Sequence, residues 1–453
     1  MYDLNWAKVD INTLPQIKTE LPGPKSKELH DRCSKYFKGY SSQVTLFPVA
    51  FESGKGCTLT DVDGNTYIDF SSGIYVTGLG HCHPKISDAI AEYAHKLMNC
   101  HDFTTEIKTK LVEKLHEITG GKFAGFQFYD SGTTAVEAGL RCARAATGKA
   151  EFISFWRDFH GKTLGAVSLA NVGPDSHMRA PGFMLCPRPN PYRDAFGRSE
   201  EEAWKNSDPY INFLEGMIAN ESAGNVAAIV LEPIQGWNGS VVPPDDFMPK
   251  LRDLCNRKNI LLFADEVLSC MGRTGKMFAM DNWDVTPDIM TLGKGFGNGF
   301  PCTAMCVSEK LAPAIEKISA SSSYGGNPMA CAAALASIEV IEDENLCERS
   351  AHLGEIALKR MKEMQARHKI IGDVRGKGCL LAMELVTDKE SKTPFEKAGS
   401  MVYAEAFRHG LAWVPSRHVL RLSPPIIMED DMLLKGFDII EDAVDTVEKQ
   451  LGY

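Results

Sequence analysis

Five short apolar runs fall in the middle of the chain: FQFYD, EFISFW, AAIVLEP, ILLFADEV and DIMTL. None of them alternates apolar with polar residues. A strand with one wet face must alternate, so these runs read as strands buried on both faces, the mark of a mostly parallel sheet. Helix-length stretches fall among and after them, at 133–147, 246–258 and 327–343. Strand and helix in alternation predict an α/β domain, its sheet sandwiched by helices. Ligands in such a fold bind beyond the carboxyl ends of the strands, so the residues that follow each run become candidates for a site.

The pattern changes on either side. Beyond about residue 345 come long amphipathic stretches, LGEIALKRMKEMQ and AGSMVYAEAFRHG, and short runs, CLLAMELV, GLAWVP and VLRLSPP. They predict a second, smaller α+β domain. Residues 1 to 50 carry Pro15, Pro22 and Pro24 and read as an arm or short helices. GKGCTLTDVDGNTYIDF holds a DG turn between two alternating runs, a hairpin signal, and Pro84 opens the helix PKISDAIAEYAHKLM. The expected division is an arm or part of the small domain over 1–55, a large domain over 56–344 and a small domain over 345–453. A chain of 453 residues has room for two or three domains.

Charge removes some partners. Lysine and arginine number 49 against 59 acidic residues, a net charge of −10, with no basic run to track nucleic acid or an anionic membrane. The start, MYDLNWAKVD, has no basic segment ahead of an apolar one, and no apolar run nears the roughly 18 residues of a membrane span. A cytoplasmic location is expected. The 13 cysteines are scattered, and Cys302, Cys306 and Cys331 do not have zinc-ribbon spacing. They read as reduced, buried thiols. In GHCHP, His81 and His83 lack ligand partners at helical spacing, so no metal is expected.

Three stretches carry chemistry. YDSGTTA ends one strand and opens the helix AVEAGLRCARAATG, so Ser131, Gly132, Thr133 and Thr134 present N–H groups and hydroxyls at a helix N-terminus. That suits a phosphate, or else a plain N-cap. FADEV puts Asp265 and Glu266 at the end of an apolar strand, where a carboxylate is costly unless paired or used. A structural salt bridge is one explanation and a protonated ring nitrogen another. TLGKGFGNGFP then places Lys294 just after the next strand, among Gly293, Gly295, Gly297 and Gly299. A phosphate cradle, a strand-end aspartate and a lysine in bare backbone together match the needs of pyridoxal phosphate. On this reading the glycines clear space for close approach to the cofactor.

With these residues in place, the chain resembles a class III aminotransferase of fold type I, in the group of ornithine, 4-aminobutyrate and ω-amino acid aminotransferases. The likeness runs from about 45 to 440 through TLTDVDGNTYIDFSSGI, GLGHCHP, SGTTAVEAGLRCARAATGK, FHGKTLGA, LEPIQG, ADEVLSCMGRTGKMFA, PDIMTLGKGFGNGFP, SSYGGNPMACAAA and LRLSPP. The resemblance implies that Lys294 holds the cofactor covalently and moves the proton, and that Asp265 binds the pyridine nitrogen. It assigns Ser131, Gly132 and Thr133 to the phosphate, Phe159 and Val267 to the two ring faces, and His160 and Glu232 to the cofactor site. It implies that Ser323 reaches the phosphate of a neighbouring subunit, hence a homodimer with active sites at the subunit interface. Arg421 would clamp the substrate carboxylate, with Ile74, Lys162 and Trp237 beside the substrate.

Departures from the family pattern bear on the substrate. Leu268 stands where the family often has Gln. Lys162 stands where ω-amino acid enzymes often have Arg, keeping the charge and losing the fork. Trp237 replaces a Glu that shields the carboxylate-binding Arg in several relatives, and Ser323 replaces Thr. Trp237 and Ile74 imply a partly apolar pocket. The expected reaction is ping-pong transfer from an ω-amino acid or other primary amine to a 2-oxo acid, pyruvate or 2-oxoglutarate. The same cofactor also serves aminomutase, amino-acid epimerase and dialkylglycine decarboxylase chemistry, and EPIQGWNGSVVPP has some likeness to the aminomutase. A regulator on this fold needs a separate basic domain, for which the first 45 or so residues are too few. A dinucleotide oxidoreductase fits poorly, because GFGNGF lacks the GxGxxG spacing.

Overall fold

A computed structural model describes residues 4–170 and 179–453. Internal contacts divide the chain into a continuous unit, Lys85–Glu342, and a discontinuous one, Met1–Pro84 with Asp343–Tyr453.

The discontinuous unit begins with short helices, Pro24–Cys33 and Ser42–Leu46, and three strands: β1, Phe51–Lys55, β2, Thr58–Asp61, and β3, Thr66–Asp69. β2 and β3 form the hairpin that the DG turn signals. Asp61 makes the turn by accepting the N–H groups of Asp63 and Asn65, and Gly64 follows at φ +84°, a conformation glycine adopts without strain.

The continuous unit is built on a seven-stranded sheet. Its strands are β4, Phe123–Tyr129; β5, Glu151–Phe155; β6, Phe183–Cys186; β7, Val226–Leu231; β8, Leu261–Glu266; β9, Ile289–Leu292; and β10, Thr303–Ser308. Their order is β4-β10-β9-β8-β7-β5-β6. β6, β5, β7, β8 and β9 are mutually parallel, and β10 runs against both its neighbours. All five sequence-predicted strands are present, and the two buried throughout on both faces, β7 and β9, show why their runs do not alternate. β6 and β10 escape the sequence reading. β10 reads TAMCVS, with only Thr303 and Val307 β-branched, so its composition does not announce a strand.

The helices Gly132–Thr147, Phe247–Lys258 and Pro328–Asp343 match expectation within a residue. The first lays Ala135, Val136, Ala138, Leu140, Cys142 and Ala143 into the core with Phe152, Val230, Phe263 and Met305. Gly139 makes this contact close: a Cβ there would lie 2.5 Å from the Phe263 ring. Burying one such ring stabilises the fold by about 2–3 kcal/mol.

The discontinuous unit resumes with the helix Leu346–Arg367, then β11, Ile371–Lys377, and β12, Leu380–Leu385. The helix Glu396–Arg408 leads to β13, Leu411–Ala412, β14, Val414–Ser416, and β15, Val419–Leu422, and the helix Asp430–Leu451 follows. GLAWVP is not one strand. β13 pairs in parallel with β3, while β14 turns away to pair with β15 in the sheet β11-β12-β15-β14. Trp413, at the break, is buried with its ring edge-on to Tyr403. The sequence reading begins the large domain at 56. In the structure β2 and β3 belong to the discontinuous unit, because β3 finds its edge partner in β13. Among the described residues, no helix is long and apolar enough to cross a membrane.

Candidate active site

β4, β5, β7, β8 and β9 end on the same edge of the sheet, and a candidate residue lies at or just past each end. Asp265 is the penultimate residue of β8 and is paired with Thr291 of β9. It is buried, 5% exposed. Its Oδ1 accepts the Thr291 hydroxyl at 2.9 Å and the Val267 N–H at 3.1 Å, and its Oδ2 faces His160 Nδ1 at 2.8 Å. Among these three partners only His160 can carry a positive charge. The adjacent Glu266 points the other way. It accepts the Ser269 hydroxyl and the N–H groups of Ala279 and Met280, and burial pushes its pKa up to about 7.

Lys294 begins two residues past the end of β9 and has φ +47°, in the left-handed region. Strain of about 1–2 kcal/mol at a non-glycine residue is typical of functional sites. The glycines around it lie close against the protein's own atoms. A Cβ on Gly293 would lie 3.0 Å from Val267 Cγ1, one on Gly295 3.3 Å from Met271 Cβ, and one on Gly297 2.1 Å from the Phe300 carbonyl oxygen. Gly299 has φ +108° and needs glycine for its backbone.

After β4, the helix Gly132–Thr147 starts behind an extended Ser131. The Ser131 side chain makes no capping bond. Its hydroxyl lies 3.0 Å from that of Thr134, and its carbonyl accepts the Thr303 hydroxyl at 3.0 Å. Ser131 is thus the N-cap by its backbone, with its side chain turned to Thr134 and not to the helix N–H groups. Thr133 Oγ1 lies 2.7 Å from Thr163 Oγ1, which in turn donates to Glu137 at 2.6 Å. Val267 packs where a Cβ of Gly132 would sit, 2.9 Å from that position.

After β5, the loop 156–163 carries Asp158, Phe159, His160 and Lys162. Buried His160 sits between Asp265 and Asp158, whose Oδ2 is 3.8 Å from Nε2. Burial alone would lower the imidazole pKa. The bond to Asp265 and the charges of Asp158 and Glu232 outweigh it, and the pKa is raised. Burial raises Asp158 as well, against the pull of Arg188 at 3.6 Å and of His160. After β7, Glu232 accepts the N–H of Phe159 at 2.8 Å and of Gly236 at 2.9 Å. Burial and nearby Asp158 push its pKa up to about 7. The Phe159 ring stacks on Trp237, with centroids 5.3 Å apart. Lys162 and Ser323 are exposed, and the Ser323 carbonyl accepts from Asn99 at 2.9 Å.

The structure thus brings Ser131, Gly132, Thr133, Phe159, His160, Glu232, Trp237, Asp265, Val267 and Lys294 to one edge of one sheet. Arg421 and Ile74 belong to the other unit. Arg421, on β15, is 2% exposed and donates to the Pro415 carbonyl at 3.3 Å. Ile74 has φ +73°, an outlier for a β-branched residue, in a left-handed turn with Ser72, Gly73 and Tyr75. Asp69 holds that turn by accepting from Ser71 and Ser72, and it also binds His81 at 2.8 Å. Asp158, Arg188, Thr163, Thr291 and Thr303 were not singled out from sequence. Thr163 and Thr291 sit inside the motif stretches, while Arg188, in PRPNP, carries no local signal.

Comparison with known proteins agrees with this arrangement. The family model for class-III aminotransferases matches residues 40–444. A leucine/methionine racemase of Thermococcus litoralis is 35% identical over 94% of this chain and 97% of its own. A 5-aminovalerate aminotransferase of Pseudomonas putida is 37% identical over 88% of this chain and 93% of its own. Among solved structures, the ω-transaminase of Pseudomonas jessenii in complex with PMP superposes with a TM-score of 0.88 at 27% identity, covering 94% of this chain and 99% of that one. The chain is an enzyme of the class III aminotransferase family, built on the fold type I scaffold of the ω-transaminases.

Proposed function

We propose that the protein is a pyridoxal phosphate-dependent aminotransferase that moves an amino group from an ω-amino acid or other primary amine to a 2-oxo acid, pyruvate or 2-oxoglutarate, by a ping-pong mechanism. The observation that carries this reading is Asp265, a buried carboxylate at a strand end, held in place by Thr291, Val267 and His160, one strand from Lys294. A buried carboxylate fixed in this way fits a protonated ring nitrogen. When bound, the cofactor supplies an electron sink for the charge that develops at the amine-bearing carbon.

The chain's own residues do the rest. Lys294 holds the cofactor covalently and then carries the proton to and from the substrate carbon. His160 fixes Asp265 in place. The first turn of the helix at Gly132, with Ser131 and Thr133, holds the phosphate. Phe159 and Val267 border the ring, Arg421 takes a substrate carboxylate, and Ile74, Lys162 and Trp237 line the donor side. A homodimer suits exposed Ser323 and the apolar surface beside it. Asn99 ties Ser323 to a segment whose Met98 and Phe103 are 61% and 79% exposed, and Tyr324 is 67% exposed. The free cysteines, nine of them buried, suit the reducing cytosol.

A second reading, amino-acid racemisation with the same residues, is favoured by the 35% identity to a racemase. One experiment separates the two. The purified protein, loaded with pyridoxal phosphate, is titrated with amine donors in the absence of an oxo acid. An aminotransferase loses its yellow colour with one donor and regains it with a 2-oxo acid. A racemase inverts a chiral amino acid with no oxo acid added. Lys294→Ala should lower either turnover by at least about 10³-fold and leave the cofactor removable by dialysis. Wild-type turnover in that variant would refute the assignment of Lys294.

A further inference from the structure

Two loops meet at the carboxylate of Glu232, whose Oε1 and Oε2 accept the N–H groups of Phe159 and Gly236. Trp237, the residue after Gly236, stacks on the Phe159 ring with planes 25° apart. The contacts close a ring: carboxylate, Gly236, Trp237, Phe159, and back to the carboxylate. Leu268 braces it, because a Cβ at 236 would lie 2.1 Å from Leu268 Cδ1. Glu232 is itself held, its own N–H donating to Asp158 Oδ2 at 3.0 Å. His160, next to Phe159, ties the assembly to Asp265.

We propose that Glu232 is a positioning residue that holds Phe159 and Trp237 as one aromatic wall, and that this wall selects donors with an uncharged, apolar side chain over donors ending in a carboxylate or ammonium. The inference rests on the reading in which Phe159 borders the cofactor and Trp237 the donor. A wall assembled before binding adds no ordering cost when the donor arrives. Its ring faces remove water from an apolar group and give a terminal carboxylate nothing to replace that water. Asp158, His160 and, through Asp158, Arg188 are the charged groups facing Glu232. With its pKa near 7, Glu232 changes charge in the working range. As the carboxylate it gives each N–H a full acceptor. As pH falls through 7 it gains a proton and the grip on one loop weakens.

The test uses near-ultraviolet circular dichroism and donor kinetics. Trp237→Ala defines the band that belongs to the stacked pair. In the wild type that band should fade with a midpoint near pH 7 as acid is added. In Glu232→Gln it should be weak at every pH, and Glu232→Asp should restore part of it. In the loaded enzyme, kcat/KM for 1-phenylethylamine should exceed that for 5-aminovalerate by about tenfold or more. Glu232→Gln should shrink this ratio about tenfold, mostly through a higher KM for 1-phenylethylamine. A full, pH-independent band in Glu232→Gln, or a wild-type preference for 5-aminovalerate, would overturn the proposal. If Glu232→Gln does not fold, the wild-type titration against Trp237→Ala decides. The band is read without cofactor, so it stands apart from the reading of the site, which fails if the protein takes up no pyridoxal phosphate.

Discussion

At the ends of β5, β7 and β8, His160 lies among Asp158, Glu232 and Asp265. Between the helices Leu346–Arg367 and Asp430–Leu451, His368 lies between Glu441, 3.3 Å from Nε2, and Glu448, 2.9 Å from Nδ1. The residue types match, yet the acids move in opposite directions. In the first cluster burial pushes Glu232 up to about 7. In the second, burial is outweighed by Arg360, Arg367 and His368, which hold Glu441 down at about 2. Cations make the difference. Arg360 and Arg367 both bond Glu441, whereas around His160 Arg188 stands farther off, at 3.6 Å from Asp158. One cluster fastens two helices together. The other gathers buried acids, of which burial raises Asp158 and Glu232, the condition in which a proton or a cationic ring is welcome.

The sharpest way to probe the comparison is to neutralise the acid at the sheet edge. Asp265→Asn should lower kcat by about 10²–10³-fold with little change in melting temperature, measured by steady-state kinetics and calorimetry. A variant that keeps wild-type kcat would make the first cluster merely structural. Next comes Glu441→Gln, which removes the acceptor of two guanidinium groups and should cost about 2 kcal/mol in urea unfolding at pH 7. The folded pKa of Glu441 lies below its unfolded value of 4.5, so its contribution is present above 4.5 and lost as pH falls toward 2. Wild type and variant should converge in acid. Glu232 has the opposite sign: its folded pKa lies above 4.5, so its ionisation removes stability as pH rises from 4.5 to 7. The smallest effect belongs to packing beside the first cluster. A Cβ at Gly132 would lie 2.9 Å from Val267 Cγ1. Gly132→Ala should cost about 1 kcal/mol and weaken cofactor retention a few-fold, read by equilibrium dialysis.

Much of this is legible in the sequence for a physical reason. Runs such as AAIVL and DIMTL are apolar on both faces because both faces are covered, and a DG pair turns a hairpin wherever alternating runs flank it. Strand ends then point to Asp265 and Lys294 without further help. β10 was hidden because its residues are buried yet not β-branched. The bare backbone of the glycines around Lys294 is legible, but its neighbours Val267, Met271 and the Phe300 carbonyl are not, because they come from the folded structure. Arg188 and the bond from His160 to Asp265 are tertiary, linking residues 105 apart in the latter case. The ring through Glu232 joins two loops and is visible only once both are folded.

The parallel pairing of β3 with β13 has a consequence for biosynthesis. It joins residues 68 and 411, near opposite ends of the chain. During translation the continuous unit, 85–342, emerges whole and has all its sheet partners in hand. The hairpin made earlier does not. It leaves the ribosome with the start of that edge of β3, Thr66, paired to Gln16 but the edge from Ile68 on bare, and that part waits for some 340 residues to be made, on the order of tens of seconds. β3 reads TYID, with a threonine at its start and an aspartate at its end. Those polar residues keep the waiting edge soluble, and a chaperone or a nearby nascent copy of the same chain would meet it first.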